Sequence, residues 1–228
     1  MSIFHKAMLS GAIQVTGVED DPQLQAILLE PTGEVVSINR WAVFATSPVI
    51  SAVKTSLPII GVDRPLKAAV AVPVAQVELL LKNIPKDVQF KGLLEHVSII
   101  NGQGNVLEAK FNDGRGERTM VLRSIIPHPF LVNWRTNFRN LGKYTPKSFV
   151  YNRARLDAII NAINSSCRYS GEFDFIAQEG FEHGYVWRTK NGQTGQYIIV
   201  AWVFPEATTD LSEWEKGLLK PTALVRPK

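Results

Sequence analysis

One pattern occurs three times in this chain: a short apolar helix, then runs of alternating apolar and polar residues divided by turn-forming pairs such as Asn-Gly and Thr-Gly. The predicted helices begin near Phe4, Val74 and Arg153. Such a unit leaves one sheet face and one helix stripe uncovered, so the copies must pack on one another to bury them. The repeat therefore predicts an extended or ring-like α+β assembly of helix-plus-antiparallel-strand half-domains, which is typical of a scaffold.

The three helices are predicted from apolar residues at helical spacing. The first covers residues 4–15, and the second follows Pro73, whose missing N–H group costs nothing at a helix start. The third covers residues 153–165. A further short helix is predicted over residues 130–142.

Strands are predicted where side chains alternate between turns. The predicted strands are residues 23–30 and 34–43 in the first unit, 68–72, 88–92, 94–100, 106–111 and 119–126 in the second, and 148–151, 173–177, 185–189 and 197–204 in the third. Residues 47–65 contain three prolines and predict a loop with a short strand at 57–62. The tail after Phe204 predicts a helix over residues 211–219.

The positive charge of the chain is concentrated in one region. Residues 115–168 hold ten basic and two acidic residues, whereas the whole chain has a net charge of +4. Such a cationic stretch favours a polyanion, and sequence-independent binding of duplex DNA through its phosphates is the leading interpretation. A solvated basic surface would give the same pattern. The candidate DNA-binding residues are Arg135, Arg139, Lys143, Arg153, Arg155 and Lys82.

Aromatic and apolar residues in the first and third units are candidates for a groove that binds a protein partner, because aromatic side chains are enriched at interface hot spots. Burial in the core is the more frequent fate of such residues. The candidates are Trp41, Val43, Trp202 and Phe204. Trp214, Leu218 and Leu219 of the tail are candidates to occupy that groove.

Signals for catalysis or for a metal are weak. Histidines 5, 96, 128 and 183 are scattered, and none has another histidine or a cysteine at helical spacing, so we expect no metal, no cofactor and no enzymatic activity. The remaining catalytic alternative is a hydrolase in which His96, His128 or His183 meets a carboxylate in three dimensions. Cys167 is the single cysteine, and residues 1–8 lack the charged segment and the apolar segment of a secretory signal, so we expect a cytoplasmic protein. No run of about 20 apolar residues occurs, so we expect that the protein does not enter membranes.

Four segments of the chain resemble the DNA sliding clamp superfamily, and specifically the bacterial DNA polymerase III beta subunit. Residues 23–45, QLQAILLEPTGEVVSINRWAVFA, are similar to two successive strands of that family, and residues 70–85, VAVPVAQVELLLKNIP, to the strand, proline and helix that open a clamp half-domain. Residues 123–134, RSIIPHPFLVNW, resemble the exit strand and the linker between domains. Residues 149–204 resemble the last half of the final clamp domain.

This resemblance implies a domain division and a function. Residues 1–130 would form a complete clamp-like domain of two half-units, 131–147 a basic linker or short helix, 148–204 a third half-unit, and 205–228 a tail. The beta subunit has six half-units, so a closed ring would need further copies of this chain.

The function implied is a non-enzymatic, self-associating protein that binds duplex DNA nonspecifically, as an accessory processivity factor or a replication or repair scaffold, and that binds a polymerase or repair peptide. In clamps the basic residues line one concave wall, where we expect Arg135, Arg139, Arg153 and Arg155. The family's peptide pocket is altered here, at residues 38–41 and 201–203. The alternative is therefore a clamp-fold protein-interaction module that does not encircle DNA.

Overall fold

Each of the three units forms a strand, a helix and three further strands. The computed structural model describes residues 2–16, 21–39, 42–48, 66–86, 93–135, 148–150, 153–166, 174–176, 185–190, 197–203 and 207–209. The first unit consists of β1 (Ile3–His5), α1 (Lys6–Thr16), β2 (Ala26–Leu29), β3 (Val35–Asn39) and β4 (Ala42–Pro48). The second consists of β5 (Val70–Pro73), α2 (Val74–Asn83), β6 (His96–Asn101), β7 (Val106–Asn112) and β8 (Glu117–Arg123).

The third unit follows a short connecting helix, α3 (Pro129–Val132). It consists of β9 (Ser148–Val150), α4 (Arg153–Ser166), β10 (Asp174–Ile176), β11 (Tyr185–Lys190) and β12 (Tyr197–Val203), and it is followed by β13 (Ala207–Thr209). The predicted starts of α2 and α4 are confirmed. The predicted strands at 57–62 and 88–92, and the predicted helix in the tail, lie outside the described residues.

The predicted helix of the first unit is confirmed, but it begins at Lys6, because Phe4 is part of strand β1 and faces Val97 of β6 across the ladder. The predicted strand 34–43 is two strands, β3 and β4, which pair with each other. In both places local apolar spacing misled the prediction, since pairing with a distant strand decides the backbone conformation.

The first two units exchange their opening strands. Strand β1 pairs with β6 and completes a four-stranded antiparallel sheet in the order β1-β6-β7-β8. Strand β5 pairs in return with β2 of the first unit, so that Ile27 lies opposite Val72. Neither unit therefore has a complete sheet without the other.

The third unit is joined to the first through main-chain pairing. Strand β12 runs antiparallel to β4 over seven residue pairs, from Tyr197 opposite Pro48 to Val203 opposite Ala42. The result is a seven-stranded sheet in the order β10-β11-β12-β4-β3-β2-β5. Strand β13 pairs with β9 in a separate two-stranded sheet.

The seven-stranded sheet is apolar on both faces. Ile27 and Leu29 point to the main core, where they pack with residues of α1, α2 and α4. Leu28 points to the opposite face, because successive side chains of a strand alternate. Helix α1 packs against both α2 and α4, so these three helices form one layer. We call this the helix layer, and the opposite side of the sheet the outer face.

Candidate functional site

The helix layer carries two of the predicted DNA-binding residues. Lys82 is exposed in the last turn of α2, and the side chain of Arg153, in the first turn of α4, is 94% exposed. Arg153 Nε lies 3.6 Å from the carboxylate of Asp157 one turn later, a surface pair that contributes little to stability. Arg155 is also in the first turn of α4, but its side chain is not among those that the structure describes. Arg139 and Lys143 lie outside the described residues.

The described part of the helix layer has mixed charge. Exposed Glu78 shares α2 with Lys82, and exposed Asp157 shares α4 with Arg153. In α2 and α4 together, basic residues only slightly outnumber acidic ones. The large excess of basic residues found over residues 115–168 is therefore not reproduced on these helices. Any strongly positive surface must therefore involve further residues of the basic stretch.

Arg135 lies on the other side of the sheet. Its Nη1 donates to both carboxylate oxygens of Glu30, at 2.7 and 2.8 Å, and its Nη2 lies 3.2 Å from Oε1 of Glu34. The guanidinium also stacks on the indole ring of Trp134, with 4.6 Å between the guanidinium carbon and the ring centroid. The expectation that Arg135 and Arg153 share one wall is wrong, because two carboxylates of the β2–β3 hairpin hold Arg135 at the outer face.

The same segment covers the predicted partner groove. We call residues 128–135 the strap. Leu131, at its centre, is 1% exposed and packs on the outer face of the sheet. The apolar residues beneath it, which we call the outer-face cluster, are Leu28, Val36, Ile38, Val43 and Ala45.

The four predicted partner-binding residues are placed only in part. Val43 is 2% exposed, and Trp202 lies directly opposite it in the β4–β12 ladder, although the Trp202 side chain is outside the described residues. Trp41 and Phe204 are also outside them. Val43 is thus beside the third unit, and it packs in one apolar cluster with Leu131 of the strap.

Glu30 is the residue of this site that the sequence did not reveal. It follows strand β2 immediately before a turn and is 9% exposed, and it accepts hydrogen bonds from Trp134 Nε1 at 2.9 Å and from Arg135. Its partners are 104 and 105 positions away in the chain, so no local pattern could have identified them. A buried carboxylate is stable only when it is paired, which makes these contacts structurally important.

An open cleft of about 700 Å³ lies beside the start of the strap. Its lining is mostly apolar and consists of Pro22, Gln23, Ala69, Val70, Asn105, Ser124, Ile125, Ile126 and Pro127. Next to it, His128 Nε2 lies 4.0 Å from the carboxylate of Asp21, while His128 Nδ1 accepts a hydrogen bond from the Phe130 N–H group. His128 is thus the N-cap of α3.

Two of the described histidines contact each other in the core. His5 and His96 are buried cross-strand neighbours whose rings meet edge to face at 4.8 Å, and His5 Nδ1 caps the first turn of α1 through the Ala7 N–H group. Within the described ranges, no group of three histidine, cysteine, aspartate or glutamate residues is arranged to hold a metal ion. His183 and Cys167 lie outside those ranges.

Comparison with solved structures identifies the fold. The chain is similar to a protein assigned as a DNA polymerase III beta subunit from Eubacterium rectale, with a TM-score of 0.50 and 13% identity over 89% of this chain and 64% of that one. It is also similar to the proliferating cellular nuclear antigen of Entamoeba histolytica, with a TM-score of 0.50 and 7% identity over 90% of this chain and 98% of that one. No protein-family model and no curated protein sequence matches the chain.

The chain therefore has an α+β sliding-clamp fold, as its resemblance to the clamp superfamily implied. It spans less than two thirds of the length of the Eubacterium rectale protein. Among the helices that the structure describes, none combines the length and the apolar character that a membrane crossing requires.

Proposed function

We propose that this chain is a non-enzymatic, clamp-like scaffold that binds duplex DNA without sequence specificity, in the role of an accessory processivity factor or a replication or repair scaffold. The sliding-clamp fold carries this proposal, since the two similar structures are of a DNA polymerase III beta subunit and a proliferating cell nuclear antigen. The basic stretch of residues 115–168 supports it. Lys82 and Arg153 in the helix layer, with Arg139, Lys143 and Arg155, are the proposed phosphate contacts.

We further propose that the chain self-associates in the cytoplasm. The number of units supports this, because the described residues form three half-units where the beta subunit has six, so a closed ring would need other copies. Light scattering coupled to size exclusion measures this directly. A discrete dimer, trimer or tetramer agrees with self-association, and a monomer at all concentrations contradicts it.

DNA binding is tested with a labelled duplex of random sequence, by fluorescence anisotropy across a salt series. The test variant carries Lys82→Glu with Arg153→Glu, and the control carries Lys67→Glu with Lys110→Glu, two lysines outside both the helix layer and the basic stretch. Losing two phosphate contacts lowers the slope of log affinity against log salt by about 2, whereas the control has the same net charge and keeps most of the slope. Equal losses in both variants, or no binding by the wild-type chain, would contradict the proposal.

The second candidate is a clamp-fold protein-interaction module that does not encircle DNA. Two observations favour it: the mixed charge of the helix layer and the pairing of Arg135 with Glu30 and Glu34. A monomeric chain that binds no duplex at low salt would support this candidate over the first.

A further inference from the structure

The strand exchange between the first two units follows one rule. The opening strand of each unit pairs with the first strand after the helix of the other unit, β1 with β6 and β5 with β2, and both pairs are antiparallel. In each pair, the last residue of the opening strand lies opposite the first residue of its partner strand, His5 opposite His96 and Pro73 opposite Ala26. The exchange is therefore reciprocal, as it would be between two identical units related by a two-fold axis.

The third unit has both strands that this exchange requires. Its opening strand is β9, and its first strand after the helix is β10. Among the described strands, β10 pairs with β11 alone and β9 with β13 alone, so each has one open edge. Strand β5, by comparison, has β2 as a neighbour and also contacts the segment after β8, through the bridge between Ala71 and Ile125. An open edge presents unpaired backbone groups to which a further strand can add, so β9 can keep β13 and accept a second neighbour.

The helices of the three units differ in one apolar side chain. A fully buried apolar residue occupies the seventh position of each helix: Ala12 in α1, Leu80 in α2 and Ile159 in α4. This agreement aligns the three helices. At the eighth position, Ile13 of α1 and Leu81 of α2 both pack in the main core, and their two helices contact each other. Ile160 of α4 has the same position but is 47% exposed, so the third unit leaves uncovered an apolar residue that the exchanged units bury.

We propose that two copies of this chain join through their third units by the same exchange, with β9 of each copy paired to β10 of the other and the two α4 helices packed together at Ile160. This inference rests on the proposed self-association and specifies its partner and its surface. The partner is a second copy, because the third unit itself supplies both an opening strand and a strand with an open edge. Exchange of identical elements between protomers is a low-cost route to a symmetric dimer. In that dimer, every half-unit has an exchange partner.

The register of the new strand pair follows from the two observed pairs. The last residue of β9 should lie opposite the first residue of β10 in the second copy. The expected pairs, with the residue of β9 first, are Val150 with Asp174, Phe149 with Phe175 and Ser148 with Ile176. The proposal therefore specifies which positions of two chains come together.

The first test measures the dissociation constant of the dimer by sedimentation equilibrium with the full chain. Ile160→Asp places a charge where the two α4 helices meet, and the matched control Leu79→Asp changes a 50% exposed apolar residue of α2. We expect a dimer for the wild-type chain. Ile160→Asp should raise the dissociation constant about a hundredfold, because the change occurs twice in each dimer, whereas Leu79→Asp should leave it within about threefold.

The second test maps the strand pair by cross-linking. Two single-cysteine variants, Ser148→Cys and Ile176→Cys, each also carry Cys167→Ser, and one of them has a tag that changes its mass. Mixing them with a short bis-maleimide should give a covalent heterodimer, which only a contact between two chains can produce. The control mixture has Thr119→Cys in place of Ile176→Cys, at an exposed position on β8, the last strand of the four-stranded sheet, and should give no heterodimer.

Three results would overturn strand exchange while self-association stands: a discrete trimer, equal dissociation constants for Ile160→Asp and the wild-type chain, or cross-linking of Ser148→Cys to Thr119→Cys instead of Ile176→Cys. A monomer at all concentrations would contradict both proposals. Circular dichroism shows whether Ile160→Asp is folded, and if it is not, the cross-linking result decides. DNA binding is measured separately with the variants of Lys82 and Arg153, so failure of strand exchange leaves that proposal testable.

Discussion

Strand β2 of the first unit and strand β10 of the third hold corresponding positions, directly after the helix, but their neighbours differ. Strand β2 lies between β3 and β5, and β5 comes from the second unit. Strand β10 is the last strand of the seven-stranded sheet, with β11 beside it among the described strands. The first unit is thus completed by its successor, while the third ends the sheet.

The opening strands show the same difference. Strand β1 enters the sheet of the second unit, whereas β9 pairs with β13, a strand of three residues that belongs to the tail. A fourth unit is absent from the described chain, and a short tail strand takes the neighbouring position. This comparison shows that strand exchange is a property of a pair of units, and that an odd unit needs a substitute.

The largest expected effect comes from the exchanged strand. Phe4 of β1 is completely buried between the first two units, so Phe4→Ala should lower the free energy of unfolding by about 3–5 kcal/mol. Urea denaturation followed by circular dichroism measures this value. The control is Val121→Ala at a 61% exposed site of β8, for which a change within about 0.5 kcal/mol is expected. A loss below about 1 kcal/mol for Phe4→Ala would show that the two units do not depend on the exchange.

A smaller loss of stability is expected when β13, the tail strand that pairs with β9 of the third unit, is removed. Truncation after Glu206 removes β13, and truncation after Asp210 keeps it, so the pair of variants isolates the β9–β13 ladder from the rest of the tail. Loss of a few main-chain hydrogen bonds should cost about 1–2 kcal/mol. Hydrogen exchange should become faster at residues 148–150 in the shorter variant alone, with β1 unchanged. Equal protection of β9 in both truncations would mean that β13 does not stabilise it.

The smallest effect concerns an exposed hairpin of the second unit. A hydrogen bond from Arg118, at 2.7 Å, and backbone hydrogen bonds from Arg115 and Gly116 hold the pKa of Asp113 below its ordinary value of 3.8. The charged carboxylate therefore stabilises the hairpin above that pH, and its contribution is lost as the pH falls through the lowered pKa. An NMR titration of the Asp113 carboxyl carbon should give a midpoint below 3.8, and Arg118→Ala should raise it. An unchanged midpoint in that variant would assign the shift to the backbone donors.

The elements of the second and third units were largely predictable. Apolar spacing located α2 and α4, and turn-forming pairs such as Asn101-Gly102 separated the strands β6, β7 and β8. These features are local, since helix periodicity and hairpin turns depend on residues within a few positions of each other. The clamp resemblance of residues 23–45 and 70–85 added the fold, which the structural comparisons confirm.

The candidate site was less predictable. The sequence predicted that Arg135 binds DNA and that Val43 lines a groove, but in the structure Glu30 binds Arg135, and Val43 packs in one cluster with Leu131. Both contacts join residues more than 80 positions apart, and a charge pattern contains no information about which carboxylate folds against which arginine. The basic stretch is a property of the sequence, while the number of its cations that remain unpaired is a property of the fold.

The sequence by itself determined that three similar units exist, where their helices and hairpins lie, and that positive charge is gathered between residues 115 and 168. Only the tertiary structure decided that β1 and β5 change places, that β12 joins β4, and that the strap closes over the outer face. The physical reason is that local periodicity fixes which face of an element is apolar, whereas many distant partners could cover that face. Main-chain pairing and side-chain packing over the whole chain select among them.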